Sequence, residues 1–446
     1  MGVRVNKSSP VMVKPREPMA KGGAIKLSFL DQIHVNIPVT SLIVFEHPID
    51  KTPESIQRAL SQALVHYYPI SGRIPAGADE IQCTGEGVVF VAASADCSLE
   101  QSTLFKEEQP SPASPSGATS RALLDDLAVY YDPADGCVAK PLMLMQVTEF
   151  SCGGFVLGVT WNHAIGDTTG IAQFLQAVGE MARGMSSPSV LPSRIWDDSL
   201  IPSLSPSAVV ALQQQSMANR KCEPPLDLAF LDVTIRSTLI NRIKAEYDLV
   251  YCSHGQSSSS SCTTFEAVAA VLWRCRTRAI MLDPPSSSSS SPAVLSFAVN
   301  IRNHVGADDG YYGNGIAATG QKVISTIDAV INGNIADIVK AIKDAKDGIS
   351  EMLKRIPISN PSSQQMVDRC SMLALSSWRN LGLDKPDFGS GSPTRVIFHA
   401  KPLASPQPFC MACLPWKGND GASVMSLYIK KEHAHAFLAE LASLDT

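Results

Sequence analysis

Gly154-Phe155-Val156-Leu157-Gly158-Val159-Thr160-Trp161-Asn162-His163-Ala164-Ile165-Gly166-Asp167 is an apolar strand closed by His-x-x-x-Asp. After Thr168-Thr169-Gly170, the residues Ile171, Phe174, Leu175, Val178 and Met181 recur at helical spacing, which predicts an amphipathic helix to about Gly184. His163 therefore stands at a strand-to-helix junction. Imidazole is the side chain whose ordinary pKa lies near neutrality, and a carboxylate follows four residues on. That is the layout of a general base, although a bare His-x-x-x-Asp also arises by chance and suits a purely structural histidine equally well.

Outward from this stretch, strands are expected at Ser41 to Glu46, Val88 to Ala92, Pro141 to Glu149, Val294 to Asn300, Thr394 to Phe398 and Ser423 to Tyr428. Helices are expected at Pro53 to Val65, Thr238 to Glu246, Phe265 to Ile280, Val323 to Asn332, Ile335 to Met352, Ser362 to Met372 and Lys431 to Leu444. Thr263 or Thr264 would cap the helix at 265, with Ala267, Val268, Val271 and Leu272 on its buried side. The two element types mix without a βαβ rhythm, and no Gly-x-Gly-x-x-Gly opens a helix, so the fold class is α/β layers around mixed sheets rather than a Rossmann fold. Gln109 to Gly117 and the serine runs Ser257 to Ser261 and Ser286 to Ser291 have no apolar face and read as loops. Pro188 to Pro206 reads as the connection between two halves of similar size.

At 446 residues the chain exceeds what one core usually organises. Its 45% apolar and 18% charged residues and net charge of -5 are those of an ordinary globular enzyme. No Lys/Arg stripe interleaves with aromatics, so no nucleic-acid partner is expected. The N-terminus lacks a signal-like apolar stretch and no apolar run approaches the ~20 residues of a membrane span, which points to a cytoplasmic protein without membrane association. Eleven scattered cysteines fit free thiols better than a disulfide framework. Cys410-Met411-Ala412-Cys413 has neither a thioredoxin-type helix start nor a second ligand pair, and His433-Ala434-His435 places its imidazoles on diverging sides of a helix, so no metal is expected.

A second compact stretch is Ser376-Ser377-Trp378-Arg379-Asn380-Leu381-Gly382-Leu383 with Asp387-Phe388-Gly389-Ser390-Gly391. With the His163 motif it resembles the plant BAHD family of acyl-CoA-dependent acyltransferases, marked by HxxxD and DFGWG. Further landmarks stand in family order: Leu27-Ser28-Phe29-Leu30-Asp31, His66-Tyr67-Tyr68-Pro69-Ile70-Ser71-Gly72-Arg73, Thr263-Thr264-Phe265-Glu266-Ala267 with Trp273-Arg274-Cys275-Arg276, and Gly310-Tyr311-Tyr312-Gly313-Asn314. One departure is Ser390, where the family has Trp.

The resemblance implies two similar chloramphenicol-acetyltransferase-like domains, each a mixed sheet with flanking helices, and an active-site channel between them. The first would span 1–200, with 385–405 crossing back to it. A linker at 201–220 and a second domain at 221–446 would follow. It also implies a monomer with no permanently bound cofactor, taking acyl-CoA as co-substrate and a small alcohol or amine as acceptor. His163 would be the general base. Asp167 reads either as a dyad partner or, by the resemblance, as an arginine-paired residue that shapes the His163 loop. Asp387 reads as a second base or as a structural ion pair with Arg274, Arg276 or Arg395. Trp378 is either a core residue or a donor near the reacting carbonyl. Thr264, Ser376 and Ser377 match positions near the coenzyme A channel, while Gly166, Phe388, Gly389 and Gly391 match structural motif positions.

No Gly-x-Ser-x-Gly elbow or activated cysteine offers a covalent nucleophile, so direct attack of the acceptor on the thioester is the simpler mechanism. Phe174 to Gly184 followed by Pro188-Ser189-Val190-Leu191-Pro192 resembles the branch that uses benzoyl-CoA and related aromatic donors. The alternatives are a catalytically silent acyl-CoA-binding relative and an acyl-CoA thioesterase.

Overall fold

The computed structural model describes residues 3–18, 23–105, 118–132, 137, 139–196, 228–252, 261–280, 292–317, 322–354, 372–399 and 409–445. The expected loops at 109–117 and 286–291, nearly all of 257–261, the linker at 201–220 and the expected helix at 362–372, except for Met372, lie outside those residues.

The first half runs β1 (Val5–Lys7), β2 (Val11–Val13), β3 (Ala24–Lys26), α1 (Phe29–Gln32), β4 (Pro38–Phe45), α2 (Thr52–His66), β5 (Glu80–Gln82), β6 (Val88–Ala95), α3 (Ala118–Asp126), β7 (Met143–Glu149), β8 (Phe155–Asn162) and α4 (Thr168–Ala182). The second begins with β9 (Leu228–Ile235), α5 (Ser237–Tyr251), α6 (Thr264–Ile280), β10 (Pro292–Phe297), β11 (Val299–Asn300), α7 (Arg302–Val305), β12 (Ile316–Ala317) and β13 (Lys322–Thr326). It ends with α8 (Ile327–Asn332), α9 (Ile335–Asp347), α10 (Ile349–Lys354), β14 (Met372–Ser377), β15 (Arg395–Phe398), β16 (Phe409–Cys413), β17 (Ala422–Lys430) and α11 (Ala434–Leu444).

Two mixed sheets organise these elements. The first has the order β1-β6-β7-β8-β4-β15, with β2 also on β6, and the second β13-β10-β14-β16-β17-β9. Parallel pairs (β6 with β7, β10 with β14, β14 with β16) sit among antiparallel ones. β8 lies between β7 and β4 and every one of its residues is buried, as its unbroken apolar run requires of a strand covered on both faces. β15 is the outlier in sequence: it comes from the second half yet pairs antiparallel with β4, Arg395 opposite Val44 and Phe398 opposite Ser41.

Phe388, just before β15, is buried in the first core, where its ring meets Phe45 edge-on at 5.3 Å while Phe45 stacks on Phe155 at 4.7 Å. Burying such a phenyl is worth roughly 1.5–3 kcal/mol, so the loop at 387–391 is fastened to the first sheet by an apolar plug.

The stretch Val323 to Asn332 is not one helix. Lys322–Thr326 forms β13 against β10, and only then does α8 start, with the Thr326 hydroxyl accepting from the Ala329 N–H at 3.2 Å. The β-branched run Val323-Ile324-Ser325-Thr326 takes the pairing partner that the fold supplies. Ile335 to Met352 is likewise divided, α9 ending at Gly348. Among the described helices none is long and apolar enough to cross a membrane.

Candidate active site

β8 carries His163 to its place. At its end the Asn162 N–H donates to Leu142 O at 2.9 Å and the His163 N–H to Ile37 O at 2.8 Å, so the last rungs of the ladder fix the backbone on both sides. His163 to Ile165 then form a 3-10 turn capped by the Asn162 side chain, which accepts from the Ala164 N–H at 3.1 Å. The Trp161 indole donates to Gly166 O at 3.0 Å, tying the turn back onto the strand.

Asp167 caps α4, accepting from the Gly170 N–H at 3.1 Å. Its carboxylate also takes the Gly315 N–H at 2.9 Å and both Arg302 Nη groups, at 2.8 and 2.9 Å. Burial alone would raise the Asp167 pKa, but Arg302 and the two backbone amides outweigh it and hold the carboxyl below its usual range. Asp167 is thus fully engaged as a cap and ion-pair partner, and none of its hydrogen bonds goes to His163.

A second buried carboxylate, Asp31 of α1, sits beside the turn. Arg194 Nη2 donates to it at 2.9 Å while Nη1 donates to Ile165 O at 2.8 Å. Asn314 donates to Asp31 through its backbone at 3.0 Å and its side chain at 2.8 Å, and the same side chain donates to His163 O at 2.8 Å. Asp31, Asn314, Arg194 and Arg302 thus fix the carbonyls and the carboxylate of the His163 turn from both halves. Gly166 and Gly170 let the loop at Tyr312 pass: a Cβ at either would overlap the Tyr312 carbonyl oxygen.

His163 is half-buried, with Nδ1 enclosed. Desolvation, reinforced by the neighbouring His34, lowers its pKa to about 3, against a weaker opposite pull from Asp167, its own backbone and Asn314. The imidazole is neutral at physiological pH, as a base must be.

The other sequence candidates fall in two further places. Trp378 is buried against Trp161 of β8 (ring centroids 6.5 Å) and edge-on to Phe398 (5.3 Å), so it shares the core beneath the His163 turn. Ser376 and Ser377 end β14, paired with Met411 and Ala412 of β16. Thr264 opens α6, where Thr263 and Glu266 form a reciprocal cap and Lys244 Nζ donates to the Thr264 hydroxyl at 2.9 Å.

Asp387 is remote from His163. It lies against Arg183 at the far end of α4, roughly 24 Å along that helix from Asp167 at 1.5 Å per residue. Its carboxylate accepts from the Gly389 and Gly391 N–H groups at 2.8 and 3.0 Å, and both glycines have positive φ (102° and 79°), which turns the loop. Of the arginines expected as its partner, Arg395 is engaged with Asp232, and Arg274 with the carbonyls of Val330 and Gly333. Arg183 was the nearer cation in space and gave no sign in the spacing. Ser390 lines an open cleft of about 390 Å³ with Glu46, His47, Pro393, Thr394, Pro415 and Lys417.

Sequence reasoning gave no role to His34, Asp31, Arg194, Arg302 or Asn314. Asp31 and Asn314 stand inside quoted landmarks, while nothing local distinguishes the other three. Cys410 and Cys413 are buried on β16, and burial pushes their thiols up to about 11 and about 12, which makes them poor nucleophiles. Among the described residues no group of three His, Cys, Asp or Glu side chains could hold a metal.

The model of the Transferase family matches residues 3–442. The chain belongs to this family, the BAHD acyl-CoA-dependent acyltransferases. It is 41% identical to acyl transferase 15 of Oryza sativa subsp. japonica over 460 residues, covering 100% of this chain and 99% of that one. It is 31% identical to the myricetin 3-O-glucosyl 1,2-rhamnoside 6'-O-caffeoyltransferase AT1 of Crocosmia x crocosmiiflora, covering 99% of each. Among solved structures, vinorine synthase matches with a TM-score of 0.71 at 18% identity, covering 99% of this chain and 98% of that one, which shows a shared fold. The BAHD enzyme thus has the two-sheet α/β architecture of that family.

Proposed function

We propose that this BAHD enzyme transfers an aromatic acyl group, benzoyl or hydroxycinnamoyl, from its coenzyme A thioester to the hydroxyl or amine of a small plant metabolite, with His163 as general base and no acyl-enzyme. The observation that carries the reading is the neutral, half-buried His163 on a turn fixed from both halves. Nε2 removes the proton from the acceptor as its oxygen or nitrogen attacks the thioester carbonyl carbon. The C–S bond then breaks, and the proton returns to the leaving thiolate, giving free coenzyme A.

The other residues support this at a distance. Asp167 and Asp387 hold loops, which their saturated hydrogen bonding favours over proton transfer. None of the described residues accepts from the Trp378 indole N–H, which suits a donor to the oxyanion or substrate. The start of α6 combines a helix N-terminus with Lys244, Lys343 and Lys346, a setting suited to coenzyme A phosphates beside Thr264. The caffeoyl transfer named for the Crocosmia relative favours a hydroxycinnamoyl donor and a hydroxyl acceptor.

The test is thiol release from benzoyl-CoA and p-coumaroyl-CoA, each with benzyl alcohol, shikimate, tryptamine or agmatine, by wild type and His163→Ala. Acceptor-dependent release lost in the variant is the expected result. Release independent of any acceptor would replace the reading with hydrolysis, and no release despite acyl-CoA binding would replace it with a silent binder.

A further inference from the structure

His163 lacks the usual device for orienting a basic histidine. In a His-carboxylate pair the acid takes the Nδ1–H and so fixes both ring plane and tautomer. Here Asp167 is taken up by Arg302, Gly170 and Gly315. His163 Nδ1 is buried, and the polar groups acting on the ring at close range are its own backbone and the Asn314 side chain, neither of them a carboxylate. The plane of the ring has a further support.

His34 is packed on it. The two imidazoles stack with centroids 4.3 Å apart and planes 16° from parallel. His34 is itself fixed: its Nδ1–H donates to Leu30 O at 2.6 Å, so the ring is anchored to α1, and α1 packs on the His163 turn. The capping box that starts α1, Ser28 with Asp31, places that carbonyl, and Asp31 then takes Arg194 and Asn314. The second histidine is thus built into the network that holds the base.

We propose that His34 is a positioning residue for His163, its anchored imidazole holding the plane of the base by face-to-face packing in place of a hydrogen-bonded carboxylate. This rests on the reading of His163 as base.

The charged groups around the pair are Asp31 on α1, Asp167 at the start of α4, Arg194 and Arg302; Asn314 is neutral. The two carboxylates favour protonation of either ring, but each is neutralised by its arginine. Burial lowers the pKa of His34 as well as that of His163, and a proton on one disfavours a proton on the other. The stack therefore also resists protonation of the base.

The experiment compares wild type, His34→Ala, His34→Gln and His34→Phe by two measurements. The first is ¹⁵N NMR of ring-labelled histidine in the full-length protein, with His163→Gln used to assign the His163 signals. The second is kcat, KM and the pH profile with p-coumaroyl-CoA or benzoyl-CoA and whichever acceptor above supports turnover. In wild type His163 should show one tautomer and no titration down to pH 5. In His34→Ala and His34→Gln the tautomers should mix, the acid limb should move up toward pH 6.5, and kcat should fall about 10-fold or more with KM for acyl-CoA little changed. His34→Phe, which restores a flat ring, should recover most of that loss.

Wild-type His163 signals and kcat in both ring-less variants would overturn the proposal, as would a Phe variant no better than Ala. If Ala fails to fold, Gln and Phe carry the comparison. Full turnover in His163→Ala would sink the base reading alone, and the NMR comparison would still decide whether His34 sets the ring.

Discussion

Arg302 grips Asp167 with both Nη groups, and this one contact joins the helix that follows the His163 turn to a helix of the second half. Both side chains are nearly buried, at 12% and 2% exposure. Removing either leaves the other charge without its counterpart, a loss of about 3–5 kcal/mol. Asp167→Asn and Arg302→Gln should each lower Tm by several degrees and reduce kcat/KM. The double variant should lose much less than the sum of the two. Additive losses in that cycle, read by denaturant unfolding, would show that the pair does not couple the halves.

His163→Ala removes the proposed base and leaves its framework. We expect kcat to fall by about 10² to 10⁴-fold, the usual contribution of general base catalysis, with the fold and KM for acyl-CoA preserved. Circular dichroism and steady-state kinetics on the same preparation check both parts.

The pH dependence follows from the lowered pKa of His163. Because the folded value of about 3 lies below the 6.5 of a free imidazole, the ring stays neutral as pH falls through 6.5. kcat/KM should therefore have no inflection at 6.5. Stability behaves differently: the unfolded chain binds that proton first, so this contribution is complete above pH 6.5 and is lost progressively as pH falls toward 3. A kcat/KM profile with an acid limb centred at 6.5 would contradict the buried environment described.

Much of the fold was legible. Phe155–Asn162 and Thr168–Ala182 were readable to within two residues because one is an unbroken apolar run and the other repeats Ile171, Phe174, Leu175 and Val178 on one face. β9, β14 and β16 went unanticipated because β9 pairs with β17, which lies far along the chain, and β14 and β16 are only six and five residues long. Val323 to Thr326 looked helical beside Ile327 to Asn332 until β10 paired with it. At the site, His163 was visible through its motif. His34 was not, since 129 residues separate the two rings and a stack leaves no pattern in the chain.

Gly170→Ala should be costly despite its helical position, where Ala is otherwise preferred. The added methyl would overlap the Tyr312 carbonyl and push the loop carrying Asn314 off the His163 turn. A loss of roughly 1–3 kcal/mol, typical of overpacking, with a larger drop in kcat than in acyl-CoA affinity, is the expected outcome. Thermal melts with acyl-CoA titration measure it.

Asp387→Asn should be mild, because an amide oxygen still accepts from Gly389 and Gly391 and the exposed pair with Arg183 is worth little. Asp387→Ala should destabilise by about 0.5–1.5 kcal/mol, the net worth of a hydrogen bond, because water reaches the exposed Gly389 and Gly391 amides. Its kcat at low temperature should stay far above that of His163→Ala, and equal losses would mark Asp387 as a reacting group.

The position of β15 has a consequence for biosynthesis. Its partner β4 is complete at Phe45, but Arg395 to Phe398 leave the ribosome some 350 residues later. Throughout that interval the nascent N-terminal half carries an open, hydrogen-bond-hungry edge, a standing invitation to pair with a neighbouring chain. When β15 does arrive, Arg395 engages Asp232 of the other sheet and the Leu104 carbonyl of the first half, so closing the edge and locking the halves together are one event. A chain truncated before it has lost more than a tail: it lacks the suture between its two halves.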